Sequence, residues 1–163
     1  MKELLILRHA KSSWSNPSLA DIDRPLNKRG KRDAPRIGAL LRDQDLVPDL
    51  ILCSPAVRAK KTAQAVSNES GYEGEIEIHD DLYPGDPSTY LEILASSPDE
   101  IDRAMIVGHN PGLEEFLDAL TGESARLPTS ALAQIRLPIH DWAEINQLPT
   151  GNLINLWWVK ELK

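Results

Sequence analysis

Four short apolar runs punctuate the first two thirds of the chain: LLIL at 4–7, LILC at 50–53, EIEI at 75–78 and AMIV at 104–107. Each is too brief to build a helix face, and each reads as a strand. The stretches between them carry a helical rhythm of apolar and polar positions. They predict helices over 27–44, 56–70, 87–96 and 112–121, the last stopped by Gly122. Strands that alternate with helices require crossover connections, which lay the strands parallel in one sheet with helices against it. After Pro128 the pattern changes. ALAQIRL at 131–137 and NLINLWWV at 152–159 predict two more strands, separated by a loop that contains Pro138, His140 and Pro149. With no internal repeat, linker or low-complexity stretch, the expectation is a single α/β domain over 1–163. Its architecture is a three-layer α/β/α sandwich around a mostly parallel sheet.

The residues just beyond each run carry the chemistry, because ligands of open α/β sheets bind outside the carboxyl ends of the strands. The first run ends in Arg8-His9, the second in Ser54-Pro55 with Arg58 one turn on, and the fourth in Gly108-His109-Asn110-Pro111. Two guanidiniums and two imidazoles therefore converge on one edge. Ser54 before Pro55, and Asn110 before Pro111, predict an N-cap followed by proline at the first helical position, so that helix amides face the same crevice. Such an edge suits an anion, and phosphate fits best. Arg8 and Arg58 fork onto its oxygens and the charge of its transition state. Near neutral pH an imidazole serves as an unprotonated nucleophile or a proton donor. His9, fixed between strand and loop beside Arg8, is assigned as the nucleophile and His109 as the group that hydrogen-bonds the transferring oxygens. Spacing alone permits the reverse.

Composition narrows the classes. At 163 residues, 41% hydrophobic and 26% charged, the chain can bury one sizeable core. Residues 1–61 hold 13 Lys or Arg against 7 Asp or Glu, and residues 62–163 hold 5 against 18, so a net charge of −7 conceals a basic first third. Overall acidity argues against nucleic acid, whereas the basic portion suits an anionic substrate, although KRGKR at 28–32 is partly a solvated helix face. A lone cysteine, Cys53, excludes an internal disulfide framework. No run is long enough to span a membrane and the first apolar run is too short for a cleavable signal, so the expectation is cytoplasmic. Cysteine-based phosphatase chemistry needs five residues between Cys and Arg, and CSPAVR has four. Neither His9 nor His109 has a neighbour at metal-ligand spacing, so no metal is expected, and His79 and His140 read as surface residues.

The stretches LRHAKSSW, DRPLNKRG, SPAVRAKKTA and VGHNP, in that order, resemble the histidine phosphatase superfamily, with its phosphoglycerate mutase-like fold. Short length, RHAK and the late PTSALAQI are similar to the SixA-type phosphohistidine phosphatases. The resemblance implies transient phosphorylation of His9, phosphate binding by Arg8 and Arg58, and completion of the pocket by His109. It implies no metal and no cofactor. It places Lys11 and Arg24 along the approach, with Ser54, Asn110 and Thr129 as further contacts. Where many phosphomonoesterases of the superfamily carry a glutamate as general acid, this chain has HDDLYPG, and Asp81 is the candidate there.

The lack of an evident acid favours a weakly basic leaving group such as imidazole over an alkoxide. Size agrees, because small-substrate members resemble longer chains with inserted lids, and here only the loop from Lys11 to Asn27 covers the site. The expected partner is a phosphorylated protein, such as a histidine phosphotransfer domain. The alternatives are a small phosphoester substrate, or a phosphate-binding module without turnover. Trp14 and Pro17 sit on the covering loop, where the favoured role for Trp14 is packing the loop onto the body rather than meeting a partner. Trp157 and Trp158, adjacent on a strand, should face opposite sides.

Overall fold

Along strand β1 (Lys2–Arg8) the side chains alternate between two cores. Leu4 and Ile6 join Leu52, Ile106, Phe116 and Leu117 on one face, while Leu5 and Leu7 join Ile37, Leu41, Val66 and Met105 on the other. A strand buried on both faces has no polar side to show, which is why LLIL reads as a continuous apolar run.

The computed structural model describes residues 1–162. The further strands are β2 (Leu50–Cys53), β3 (Ile76–Ile78), β4 (Arg103–Gly108), β5 (Leu132–Leu137) and β6 (Asn152–Trp157). They form one sheet in the order β3-β2-β4-β1-β5-β6. The β1–β4, β2–β4 and β2–β3 pairings are parallel, and β5 and β6 add an antiparallel edge. Helices α1 (Lys28–Asp43) and α2 (Val57–Ser70) bury Ile37, Leu41, Ala59 and Val66 against one face. Helices α3 (Pro87–Ala95) and α4 (Gly112–Thr121) bury Tyr90, Leu94, Leu113 and Phe116 against the other. The expected three layers and mostly parallel sheet are present. Gly122 ends α4 with φ 75°, the left-handed conformation that glycine adopts most readily. Trp157 packs into one core and Trp158, just past the strand, into the other.

Three sequence expectations need correction. The predicted N-caps are not formed: α2 is preceded by Ala56 and α4 by Pro111, so neither proline is a first helical residue. The Ser54 hydroxyl instead accepts the Ala56 amide and bonds His109, and the Asn110 amide donates to Glu114 and to the Leu127 carbonyl. Tertiary partners won over local capping in both cases. The segment around Pro138, His140 and Pro149 is more than a loop. It contains a 3-10 helix, Trp142–Gln147, closed by a capping box of Asp141 and Glu144. Trp142 is fully buried and its indole donates to the Ile101 carbonyl at 2.7 Å. Finally, β6 ends at Trp157, and residues Val159–Glu161 turn into a 3-10 helix. Among the described residues, no helix is long and apolar enough to cross a membrane.

Candidate active site

The carboxyl ends of β1 and β4 lie side by side, with Arg8 in register opposite Gly108, so their next residues, His9 and His109, become neighbours. The ring centroids stand 5.1 Å apart. Arg58, in the first turn of α2, reaches over from the end of β2. The cavity between them has a volume of about 210 Å³ and is lined by Arg8, His9, Arg24, Arg58 and His109, together with Lys11, Ser12, Trp14, Asn110 and Thr129.

Each imidazole is held by a distinct partner. His9 is 6% exposed, and its Nδ1 lies 2.8 Å from the carbonyl of Ala10. A carbonyl only accepts, so Nδ1 carries the proton and Nε2 presents a lone pair, with the Arg58 Nε–H donating to it at 3.4 Å. Burial, reinforced by Arg58, Arg8 and Arg24, pushes the His9 pKa down to about 4. The ring is therefore neutral at physiological pH, as a nucleophile must be. His109 Nε2 lies 2.7 Å from the Ser54 hydroxyl, while its buried Nδ1 has no protein partner. Burial, then the charges of His9 and Arg58, lowers its pKa to about 3.

The guanidiniums are equally constrained. Arg8 donates from Nη1 to the Leu127 carbonyl at 3.1 Å, leaving a buried Nε without a protein partner. Arg58 donates to the Asp21 carbonyl at 2.7 Å and to the Asp21 carboxylate at 3.0 Å. Thr62 ties the two elements together: its hydroxyl donates to the Arg58 carbonyl at 2.7 Å and accepts the Ala10 amide at 2.9 Å. One hydroxyl thus sets α2 against the residue that follows His9.

Sequence reading missed Asp21 and Tyr83. The Asp21 carboxylate accepts from Tyr83, Arg24 and Arg58 at once. The Tyr83 hydroxyl above all, then the two guanidiniums, holds it well below the usual carboxylate range. The available signal was its place in DIDRP, three residues before Arg24, but nothing in the sequence linked it to a tyrosine 62 positions away.

The family description of the histidine phosphatase superfamily (branch 1) matches residues 4–93. An uncharacterised chloroplastic protein of Arabidopsis thaliana is 33% identical over 154 residues, covering 88% of this chain and 70% of that protein. The chain belongs to the histidine phosphatase superfamily. It is similar to a solved Agrobacterium tumefaciens protein ascribed to the phosphohistidine phosphatase SixA, with TM-score 0.80 and 33% identity over 96% of this chain and 97% of that one. A structure of the protein histidine phosphatase SixA complexed with tungstate superposes with TM-score 0.85 at 23% identity, over 99% of both chains, and shows the shared fold. The SixA-type branch is where this member falls.

Within this superfamily member, the ten residues singled out from sequence divide unevenly. Arg8, His9, Arg58 and His109 meet at the cavity, and Lys11, Arg24, Asn110 and Thr129 line it with them. Ser54 is fully buried and touches His109 rather than the cavity, so its place is to orient a ring. Asp81 is exposed on the 3-10 turn Asp80–Leu82, outside the cavity lining, and the turn instead brings Tyr83 to Asp21. Trp14 departs from expectation too. It is 72% exposed and stacks on the Arg24 guanidinium, 3.2 Å from ring centroid to Cζ, at the cavity rim. His140 is exposed, as expected, and His79 is partly buried beside Glu77. Among the described residues no group of His, Cys, Asp or Glu is arranged to hold a metal ion. Cys53 is fully buried, with burial pushing its thiol up to about 12, far from a thiolate nucleophile.

Proposed function

We propose that the protein is a phosphatase that removes the phosphoryl group of phosphohistidine on a partner protein, through a covalent intermediate on His9. One observation carries the choice of substrate: among the described residues, no carboxyl group lines the cavity, and the nearest carboxylate bonded to its arginines, Asp21, is held charged. A charged carboxylate is a poor proton donor. An alkoxide leaving group needs such a donor in the transition state, but an imidazole protonated on its distal nitrogen departs as a neutral ring.

The steps follow from the atoms. The His9 Nε2 lone pair attacks phosphorus opposite the scissile P–N bond, a new P–N bond forms, and the substrate imidazole takes the old bonding pair. The positive charge that develops on His9 is eased by the Nδ1–H bond to the Ala10 carbonyl. Arg8 and Arg58 balance the three phosphoryl oxygens, and the His109 Nδ1–H donates to one of them. Water then attacks the phosphorus of phospho-His9, releasing inorganic phosphate and restoring the neutral ring. A phosphate-binding module would need the arginines but not a neutral imidazole with its lone pair facing the anion. With Lys11, Ser12, Trp14 and Arg24 of the loop from Lys11 to Asn27 along its wall, the cavity suits a side chain carried on a protein surface.

The test compares turnover of a phosphohistidine-bearing protein domain with that of phosphorylated sugars and glycerates, together with an acid-free quench to trap the enzyme. Faster turnover of the protein and a phosphorylated His9 peptide are expected. A sugar phosphate turned over orders of magnitude faster would overturn the substrate, and activity retained in His9→Ala would overturn the mechanism.

A further inference from the structure

Next to the catalytic cavity, and sharing Arg8 and Thr129 with it, lies a second and larger one of about 380 Å³. Arg29 from α1, Arg126 and Pro128 from the segment after α4, and Trp158 and Lys160 from the end of the chain form its walls. Together with Arg8 it presents four cationic side chains and one carboxylate, Glu114. That carboxylate is engaged, accepting the Asn110 side-chain amide at 3.0 Å and the Leu127 backbone amide at 2.7 Å. Arg126 and Lys160 form no ion pair among the described residues, and Arg29 shares Asp33 with Arg32 and Arg36. The clustering runs against the local charge. Residues 62–163 hold only five Lys or Arg against 18 Asp or Glu, yet two of those five line this one cleft. Its wall is also fixed in place. The Trp158 indole donates to the Arg126 carbonyl at 3.0 Å, and the Lys160 ammonium stands 5.0 Å from the Trp158 ring.

We propose that this cleft docks an acidic segment of the phosphorylated partner protein, seated beside the phosphoryl group that enters the catalytic cavity. The docking role rests on the proposed function, in which the substrate is a phosphorylated protein. Charge complementarity selects carboxylates, and continuity through Arg8 and Thr129 lets one chain occupy both cavities. Pro128 and the Trp158 ring supply apolar contact for the methylene groups of such a segment.

Two phosphohistidine peptides of equal length test it, one flanked by aspartates and glutamates and one by alanines and serines. They are assayed on the wild type and on a variant combining Arg126→Glu with Lys160→Glu, with phosphoramidate as a minimal substrate. The wild type should favour the acidic peptide about 2- to 30-fold in kcat/KM, mainly through KM, the value of two exposed ion pairs. The preference should shrink with added salt and disappear in the variant, while phosphoramidate turnover stays unchanged. Equal turnover of both peptides by the wild type overturns the proposal, as does a parallel loss on phosphoramidate. Binding of the unphosphorylated acidic peptide to the wild type, by fluorescence anisotropy, is the independent readout. If phosphohistidine is not turned over but this peptide binds and loses affinity in the variant, the functional reading fails and the docking cleft stands; absent binding overturns the cleft.

Discussion

Removing the Ser54 hydroxyl should disable His109 without touching the cavity. The hydroxyl has one proton to give, and it accepts the Ala56 amide at 3.1 Å while bonding His109 Nε2 at 2.7 Å. Since the amide can only donate, the arrangement that uses the hydroxyl proton has Ser54 donating to Nε2, which leaves the His109 proton on the unpartnered Nδ1, free for a phosphoryl oxygen. In Ser54→Ala, two buried groups lose their partner at a fully buried position. Each orphaned group costs about 1–3 kcal/mol, so a drop in stability of a few kcal/mol is expected. Once free of Ser54, the ring can take the other tautomer, in which Nδ1 offers a lone pair to phosphoryl oxygens rather than a proton. A loss of about 1.4–2.7 kcal/mol of transition-state binding is a fall in kcat of about 10- to 100-fold, with little change in KM. The assay is single-turnover phosphoryl transfer alongside nitrogen-15 NMR of labelled imidazoles in the wild type and the variant. A wild-type His109 protonated on Nε2, or full kcat in folded Ser54→Ala, refutes the reasoning.

Both active-site imidazoles have pKa values lowered by burial, to about 4 for His9 and about 3 for His109. Protons therefore bind the unfolded chain more readily between those values and the ordinary 6.5, so stability should be full above pH 6.5 and decline as pH falls toward 4 and below, measured by thermal melts across that range. Free-enzyme kcat/KM should likewise keep its acid limb below pH 5, and an inflection near 6.5 assigned to His9 would contradict this. Alkylating reagents should leave the native enzyme active, because the Cys53 thiol is buried and pushed up to about 12, and rapid stoichiometric inactivation at neutral pH would show otherwise. Gly30→Ala would place a methyl group against the Lys11 carbonyl, where α1 backs onto the covering loop. A destabilisation of about 1–3 kcal/mol by denaturant titration and a raised KM are expected, and an unchanged variant would mean that the loop yields freely.

The strands and helices were legible from the sequence because burial leaves a local mark: runs such as LLIL and AMIV are apolar wherever a strand lies inside two layers of helix. The four residues that meet at the cavity were legible for a related reason. Crossover topology carries consecutive parallel strands in one direction, so Arg8, His9, Arg58 and His109, each at or soon after the carboxyl end of a strand, share an edge. Tertiary structure alone decided how those groups are held and what else surrounds them. Side-chain hydrogen bonds depend on distances that chain separation does not encode, so the sequence shows Ser54 as a cap when it bonds His109, and it gives no sign that Tyr83 and two arginines grip Asp21. The basic cleft of Arg29, Arg126 and Lys160 is likewise invisible in a chain whose second half is strongly acidic, since it exists only where α1, the segment after α4 and the last turn come together.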